Sequence, residues 1–257
     1  MSTALLRVIA DTFDRAIVSD GGRAPNVPKA RRQHESYATA LRDAGYEIEF
    51  VAADNDHPDC VFIEDTAVIV GSVAVAARPG AEERRGEVRP VIERLERKFP
   101  VDEIEAPGTL DGGDVMMMGD NVFVGRSKRT NDEGIAQLSR VAESQGLSVT
   151  TVPVEGILHL KSGVLPVDDH TVVVTKGSVD ESVLSGLRIV YEAPHERHAF
   201  SALPLGNGGV LVTADAPDTT ALVADLGLIP VPIDVSEIQA ADGGLTCMSI
   251  VIDDRRG

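Results

Sequence analysis

"LDGGDVMMM", residues 110–118, sets an acidic turn directly in front of a short apolar run. On its own, Asp-Gly-Gly is a plain turn between strands. Recurrence gives it weight: Asp65 stands before "TAVIV", His159 in "LHLKSGVLPV", Asn207 in "LGNGGVLVT" and Cys247 before "MSIVI". From Asp65 through Asp111, His159 and Asn207 to Cys247 the intervals are 46, 48, 48 and 40 residues. A period of that length predicts five stacked supersecondary units about a common axis, forming a single domain over residues 1–257. A doubly wound sheet would also alternate strands and helices, but needs no such spacing.

Between the apolar runs lie amphipathic patterns. "NDEGIAQLSRVAESQG" predicts a helix that Asn131 caps, with Ile135, Leu138 and Val141 on one face and Gly146 as its stop. "APDTTALVADLG" repeats the pattern with Gly227 as the stop, and "QHESYATALRDAG" predicts another helix. The segment after Arg85 predicts a further one, interrupted by Pro90.

Composition is that of a soluble globular protein, 43% hydrophobic and 25% charged. The 24 basic and 41 acidic residues leave a net charge of −17, which disfavours nucleic acid and anionic membranes and favours cationic ligands. The start of the chain lacks an apolar targeting core, and the longest apolar stretch, "AVIVGSVAVAA" at 67–77, is too short to span a bilayer, so a cytoplasmic protein is expected. Two cysteines 187 positions apart make neither a disulfide framework nor a zinc motif. His195 and His198 in "PHERH" have helical spacing but no further close ligands, and no metal is expected. Neither a Walker loop nor a G-x-G-x-x-G turn is present, which leaves nucleotide cofactors unsupported.

Cys247 reads either as a small buried hydrophobe or, at the mouth of its run after Gly243 and Gly244, as a nucleophile with open space beside the sulfur. His159 is either a core histidine or the proton carrier that a thiolate needs, with Asp111 as the group that would orient it. Glu64 and Asp65, following Phe62, suit a planar cation, because a carboxylate accepts a guanidinium bidentately and an aromatic face stacks on it. Arg84 and Arg85, and Arg126, Lys128 and Arg129, are solvated basic faces or a clamp for a carboxylate.

The stretches "PDCVFIED", "RPGAEERRGE", "APGTLDGGDVMM", "VGRSKRTN", "LHLKSG" and "DGGLTCMS", in this order over roughly residues 59–250, resemble those of the dimethylarginine dimethylaminohydrolases of the guanidino-modifying pentein superfamily. The resemblance implies an α/β fold, a five-bladed α/β propeller (pentein fold) with pseudo-five-fold symmetry. It implies Cys247 as nucleophile, His159 as general acid and base, and Asp111 as the acid that orients the imidazole. Relatives often carry glutamate at this last position, so the shorter Asp111 calls for a closer backbone.

For the substrate, the resemblance implies Asp65 and Glu64 at the guanidinium, Asp59 at the α-amino group, and Arg84 and Arg129 at the α-carboxylate. Phe62 would pack on it, and the Ala241 carbonyl would accept a hydrogen bond from it. "VSDGGRAPNVP", 18–28, occupies the place of a lid. The implied reaction converts methylated arginine to citrulline and an amine through a covalent thiouronium on Cys247, with no cofactor. The implied partner is a small cationic guanidino amino acid, with no nucleic acid and no membrane, and a homo-oligomer is permitted. Rival readings are an arginine or agmatine deiminase of the same superfamily, or a non-catalytic propeller. Agmatine has no carboxylate for the arginines to hold, and a binding module would lack the thiol, imidazole and carboxylate set.

Overall fold

The structure, a computed structural model, describes residues 2–19, 22–193, 195–196 and 202–252. Its strands form five three-stranded mixed sheets built on one plan: an antiparallel pair, then a crossover to a third strand parallel to the second. The chain divides into two compact units, Glu64–Glu192 and the pair of segments Met1–Ile63 and Ala193–Arg256.

The Glu64–Glu192 unit holds three of the sheets. In the first, Ala67–Val70 turns back into Val73–Ala76, which is joined through the helix Val88–Leu95 to Val101–Glu103. The second runs Val115–Met118, Asn121–Arg126, then the helix Asp132–Ser144 to Ser148–Pro153. The third runs Val164–Pro166, Thr171–Val174, then a 3₁₀ turn at Glu181–Leu184 to Arg188–Tyr191. Gly71 and Gly119, with φ of 59° and 55°, supply the left-handed residue that tight hairpin turns need. The long apolar run at 67–77 is therefore a hairpin. Val75, Leu110, Val122, Val124 and Leu138 form one buried cluster of this unit, and Met116, Phe123, Leu160, Val172 and Val174 form another. Each such side chain contributes about 1.5–3 kcal/mol on burial.

The other unit holds two sheets. One runs Leu203–Pro204, Gly209–Thr213, then the helix Pro217–Asp225 to Ile229–Ile233. In the other, Ser249–Ile252 pairs antiparallel with Thr3–Arg7, which the helix Val27–Asp43 connects to the parallel strand Glu47–Val51. The antiparallel pair of this sheet thus comes from opposite ends of the described chain. Ala4, Leu6, Tyr37, Leu41, Leu211 and Ile238 lie in its core cluster.

Several expectations shift. The Asn131 side chain accepts from the Gly134 N–H as expected of a cap, and Gly146 and Gly227 take positive φ just past their helices. The helix expected from residue 33 begins earlier, at Val27, where Asn26 accepts from the Lys29 N–H. Pro90 does not interrupt its helix. It lies in the first turn, where a missing N–H costs nothing. Asn207 does not precede a first strand. It sits in the turn between two strands and accepts from the Gly209 N–H, a local hairpin role. Among the described residues, no helix is long and apolar enough to cross a membrane.

Candidate active site

Four of the five sheets are entered through a single 3₁₀ turn, and the candidate residues lie at these turns: Ile63–Thr66, Gly112–Asp114, Leu160–Ser162 and Thr246–Met248. Glu64 and Asp65 lie on the first, Asp111 and His159 stand at the N-caps of the second and third, and Cys247 is central in the fourth. A short turn before a strand fixes the backbone at a sheet end while leaving a side chain to point along the strand axis.

Within Glu64–Glu192, three of the expected residues meet. His159 Nε2 lies 3.0 Å from Asp111 Oδ2 and 3.9 Å from Asp65 Oδ1, and all three residues are buried. Asp111 is fixed in turn: its Oδ1 accepts the Gly80 N–H at 2.8 Å, and its own N–H donates to Thr130 Oγ1. Asp65 Oδ1 accepts the Gly113 N–H at 3.0 Å, and Oδ2 accepts from Arg84 Nη1 at 2.6 Å. Ligand-type atoms of Asp65, Asp111 and His159 lie within 4.8 Å of one another, but the set is already charge-compensated by imidazole and arginine.

Burial opposes charge on His159, yet the Asp65 charge, the hydrogen bond to Asp111 and the nearby Asp114 outweigh it and push its pKa up to about 9. The imidazole is therefore an imidazolium near neutral pH. Burial would raise Asp65, but the charges of His159 and Arg84 and the bonds from Arg84 and Gly113 hold it well below the ordinary carboxylate range. Asp114 is pushed up by burial.

The two arginines expected at a carboxylate differ. The Arg84 guanidinium is buried between Asp65 and Glu87, so two carboxylates already offset its charge. Arg129 sits 3.5 Å from Asp111 Oδ2, and its Nη1 is, among the described residues, one of three buried side-chain polar atoms without a hydrogen-bond partner. The solvated reading fits the neighbouring charges: Arg126 pairs with Asp132 and Arg85 with Glu82.

Three supporting features were not anticipated from sequence. Asp114 accepts from the Leu160 N–H at 2.8 Å and from Ser127 Oγ at 2.6 Å, while Ser127 Oγ accepts the N–H groups of Arg129 and Thr130. One buried carboxylate thereby fixes both the His159 turn and the Arg129 turn; its signal was the second acid of "LDGGD". Gly112 and Gly113 are there for space: a Cβ on Gly112 would overlap the Glu64 carbonyl, and one on Gly113 would lie 2.7 Å from His159 Nδ1. Lys161, two residues past His159, places its Nζ 2.6 Å from Glu64 Oε1.

The Met1–Ile63 and Ala193–Arg256 unit holds Asp59, Phe62, Ala241 and Cys247. The Gly244 N–H donates to Cys247 Sγ at 3.3 Å. Tyr37 Oη donates to the Leu245 carbonyl at 2.8 Å and lies 2.8 Å from Ser249 Oγ, pinning the chain on both sides of the cysteine. Gly243 has no room for a side chain. A Cβ there would overlap the Phe62 ring, which packs edge-on against Phe13.

Asp59 is buried and both its oxygens accept the Ile17 N–H at 3.2 Å. Ala241 is buried, its N–H bonded to the Ile238 carbonyl. In the stretch expected as a lid, Ser19 bonds Asp242, and Arg23 and the Asn26 N–H bond Glu237; residues 20 and 21 lie outside the described residues. His195 pairs with Asp218 at 3.0 Å, both exposed, and His198 lies outside the described residues.

Residues 10–196 match the family model described as "N,N dimethylarginine dimethylhydrolase, eukaryotic". The chain is 36% identical to the N(G),N(G)-dimethylarginine dimethylaminohydrolase of Pseudomonas aeruginosa, covering 95% of this chain and 98% of that protein. It is 40% identical to the enzyme of the same name from Streptomyces coelicolor, over 86% and 85% of the two chains. The solved Pseudomonas aeruginosa enzyme, a cysteine-to-serine variant complexed with citrulline, superposes with a TM-score of 0.92 at 33% identity, covering 97% of this chain and 98% of that one. Five mixed sheets on one plan, the fold class shared with that structure, make this an α/β pentein propeller. With a family model over most of its length and relatives matched nearly end to end, the chain belongs to the dimethylarginine dimethylaminohydrolase family.

Proposed function

We propose that the protein hydrolyses Nω-methylated arginine to citrulline and dimethylamine or methylamine, acting as one catalytic domain, with Cys247 as nucleophile and His159 as general acid and base. The observation that carries the residue assignment is a buried histidine kept protonated by surrounding carboxylates, since a departing amine needs a proton. Asp65 and Glu64 are assigned to the substrate guanidinium, Asp59 to its α-amino group, Phe62 to packing on it and the Ala241 carbonyl to a hydrogen bond. Arg129 is assigned to the α-carboxylate, joined by Arg84. Because Asp65 and Glu87 both share the Arg84 charge at hydrogen-bond distance, while Arg129 faces Asp111 alone at 3.5 Å, Arg129 supplies the larger part.

The thiolate of Cys247 forms a bond to the central guanidinium carbon. The bond from that carbon to the methylated nitrogen breaks as His159 gives the nitrogen its proton, leaving a thiouronium. Water then adds to the carbon while the neutral His159 takes a proton, and the sulfur departs as thiolate. The net change is methylarginine plus water to citrulline plus amine. Asp111 holds Nε2 of the ring throughout. A nucleophile that must stay reduced places the reaction in the cytoplasm.

The test is turnover of dimethylarginine, monomethylarginine, arginine and agmatine, reading citrulline and released amine. An acid-quenched reaction should show a mass adduct on wild type and none on Cys247→Ser, which should lose turnover with its fold intact. Arginine as the preferred substrate would move the protein to the deiminase reading, and full activity in Cys247→Ser would remove the thiol from the chemistry.

A further inference from the structure

Both carboxylates assigned to the guanidinium sit on one turn, Ile63–Thr66, yet they face different partners. Asp65 lies beside His159 and Arg84. Glu64 ends on the Lys161 ammonium, at 2.6 Å, with the two side chains only 11% and 18% exposed. The backbone of Glu64 is held by the close approach of Gly112, so its side chain starts from a fixed point. Lys161 is on the 3₁₀ turn that His159 caps, which ties its position to that of the general acid.

Donor counting gives the pair a meaning. An arginine guanidinium has five N–H donors. Dimethylation of one terminal nitrogen removes both donors there and leaves methyl groups in their place. Two available carboxylates would suit the unmethylated group, with one on each terminal nitrogen. For a dimethylated group the second carboxylate would face methyls, a buried charge without a donor.

Resting on the function proposed above, we propose that Lys161 is a positioning residue that sets the preference for methylated over unmethylated guanidinium groups. Its ammonium neutralises Glu64, so that Asp65 makes the two-point contact with the edge of the guanidinium that keeps its hydrogens while Glu64 beside it carries no unmatched charge. The dialkylated nitrogen then leaves past a neutral ion pair instead of an unmatched anion.

The experiment compares kcat/KM for asymmetric dimethylarginine and arginine, at one neutral pH, in wild type, Lys161→Met, Lys161→Arg and the double variant Glu64→Gln/Lys161→Met. Thermal melts check folding. In Lys161→Met the dimethylarginine-to-arginine ratio should fall about tenfold or more, the scale of one charged hydrogen bond. Lys161→Arg, which keeps the charge, should retain the wild-type ratio within about threefold. The double variant removes both charges together and should restore it, as a coupled pair requires. If Lys161→Met does not fold, the double variant decides: a retained preference supports the assignment, and a shift toward arginine overturns it. Equal losses on both substrates, or an unmoved ratio in a well-folded Lys161→Met, also overturn it while leaving the proposed function standing. Failure of the wild type to release dimethylamine overturns both.

Discussion

His159 is the residue on which the proposed chemistry turns, and its environment sets a pH window. Its folded pKa is raised to about 9, so the proton is bound more tightly in the folded state than in the unfolded one. The stabilisation is complete below the ordinary histidine value of about 6.5 and is lost as pH rises through about 9. In the proposed mechanism the acid form is also the one that donates to the leaving amine. We therefore expect kcat/KM to fall on an alkaline limb near the pKa of about 9. Asp111→Asn should move that limb downward, because an amide keeps an acceptor but removes the charge. A limb that stays in place would mean that Asp111 does not set the imidazole. At Arg129, Nη1 makes no hydrogen bond and faces one carboxylate, Asp111 at 3.5 Å, so the guanidinium can take a second anion. Arg129→Ala should cost dimethylarginine turnover about 10- to 100-fold in kcat/KM while changing agmatine turnover little, since agmatine offers no carboxylate. Lys98→Ala is the exposed control. Unchanged dimethylarginine turnover in Arg129→Ala would displace the clamp.

At the scale of elements, the working unit is the 3₁₀ turn that leads into a sheet. Gly113 shows how tightly two of these turns mesh: a methyl there would sit 2.7 Å from His159 Nδ1 and 2.9 Å from Asp65 Oδ1. Gly113→Ala should lower kcat at least about tenfold with little change in Tm, because the ring can swing away more easily than the sheet can open. Steady-state kinetics beside a thermal melt checks this, and wild-type kcat would show that the ring has slack. Much of this level was legible beforehand. The Asn131 cap, the glycine stops and the spacing of Asp65, Asp111, His159 and Cys247 all follow from local chemistry and a repeating period. Asn207 misled because a polar residue before an apolar run also describes a hairpin turn. The purpose of Gly113 was hidden because its neighbours, His159 and Asp65, are distant in sequence. Lys161 was hidden for the same reason: a lysine two residues past a histidine reads as solvated until Glu64 is placed against it.

For the whole molecule, net charge and chain path are the relevant quantities. The charge of −17 favours the approach of a cationic substrate. The path has a sharper consequence, through the pairing of Thr3 with Ile252 and of Leu6 with Ser249. Such pairing spans the greatest sequence separation of any strand pairing among the described residues, and contacts of that kind form slowly. Joining the ends through a short flexible linker into a cyclic backbone should speed refolding by converting this pairing into a local one, with turnover kept. Stopped-flow refolding of linear and cyclic forms tests it, and equal rates would place the slow step elsewhere. The strand that follows Cys247 is the one that waits for this closure. Under the proposed assignment, a chain in which Ser249–Ile252 has not yet paired with Thr3–Arg7 lacks the fixed turn on which the role of Cys247 as nucleophile depends.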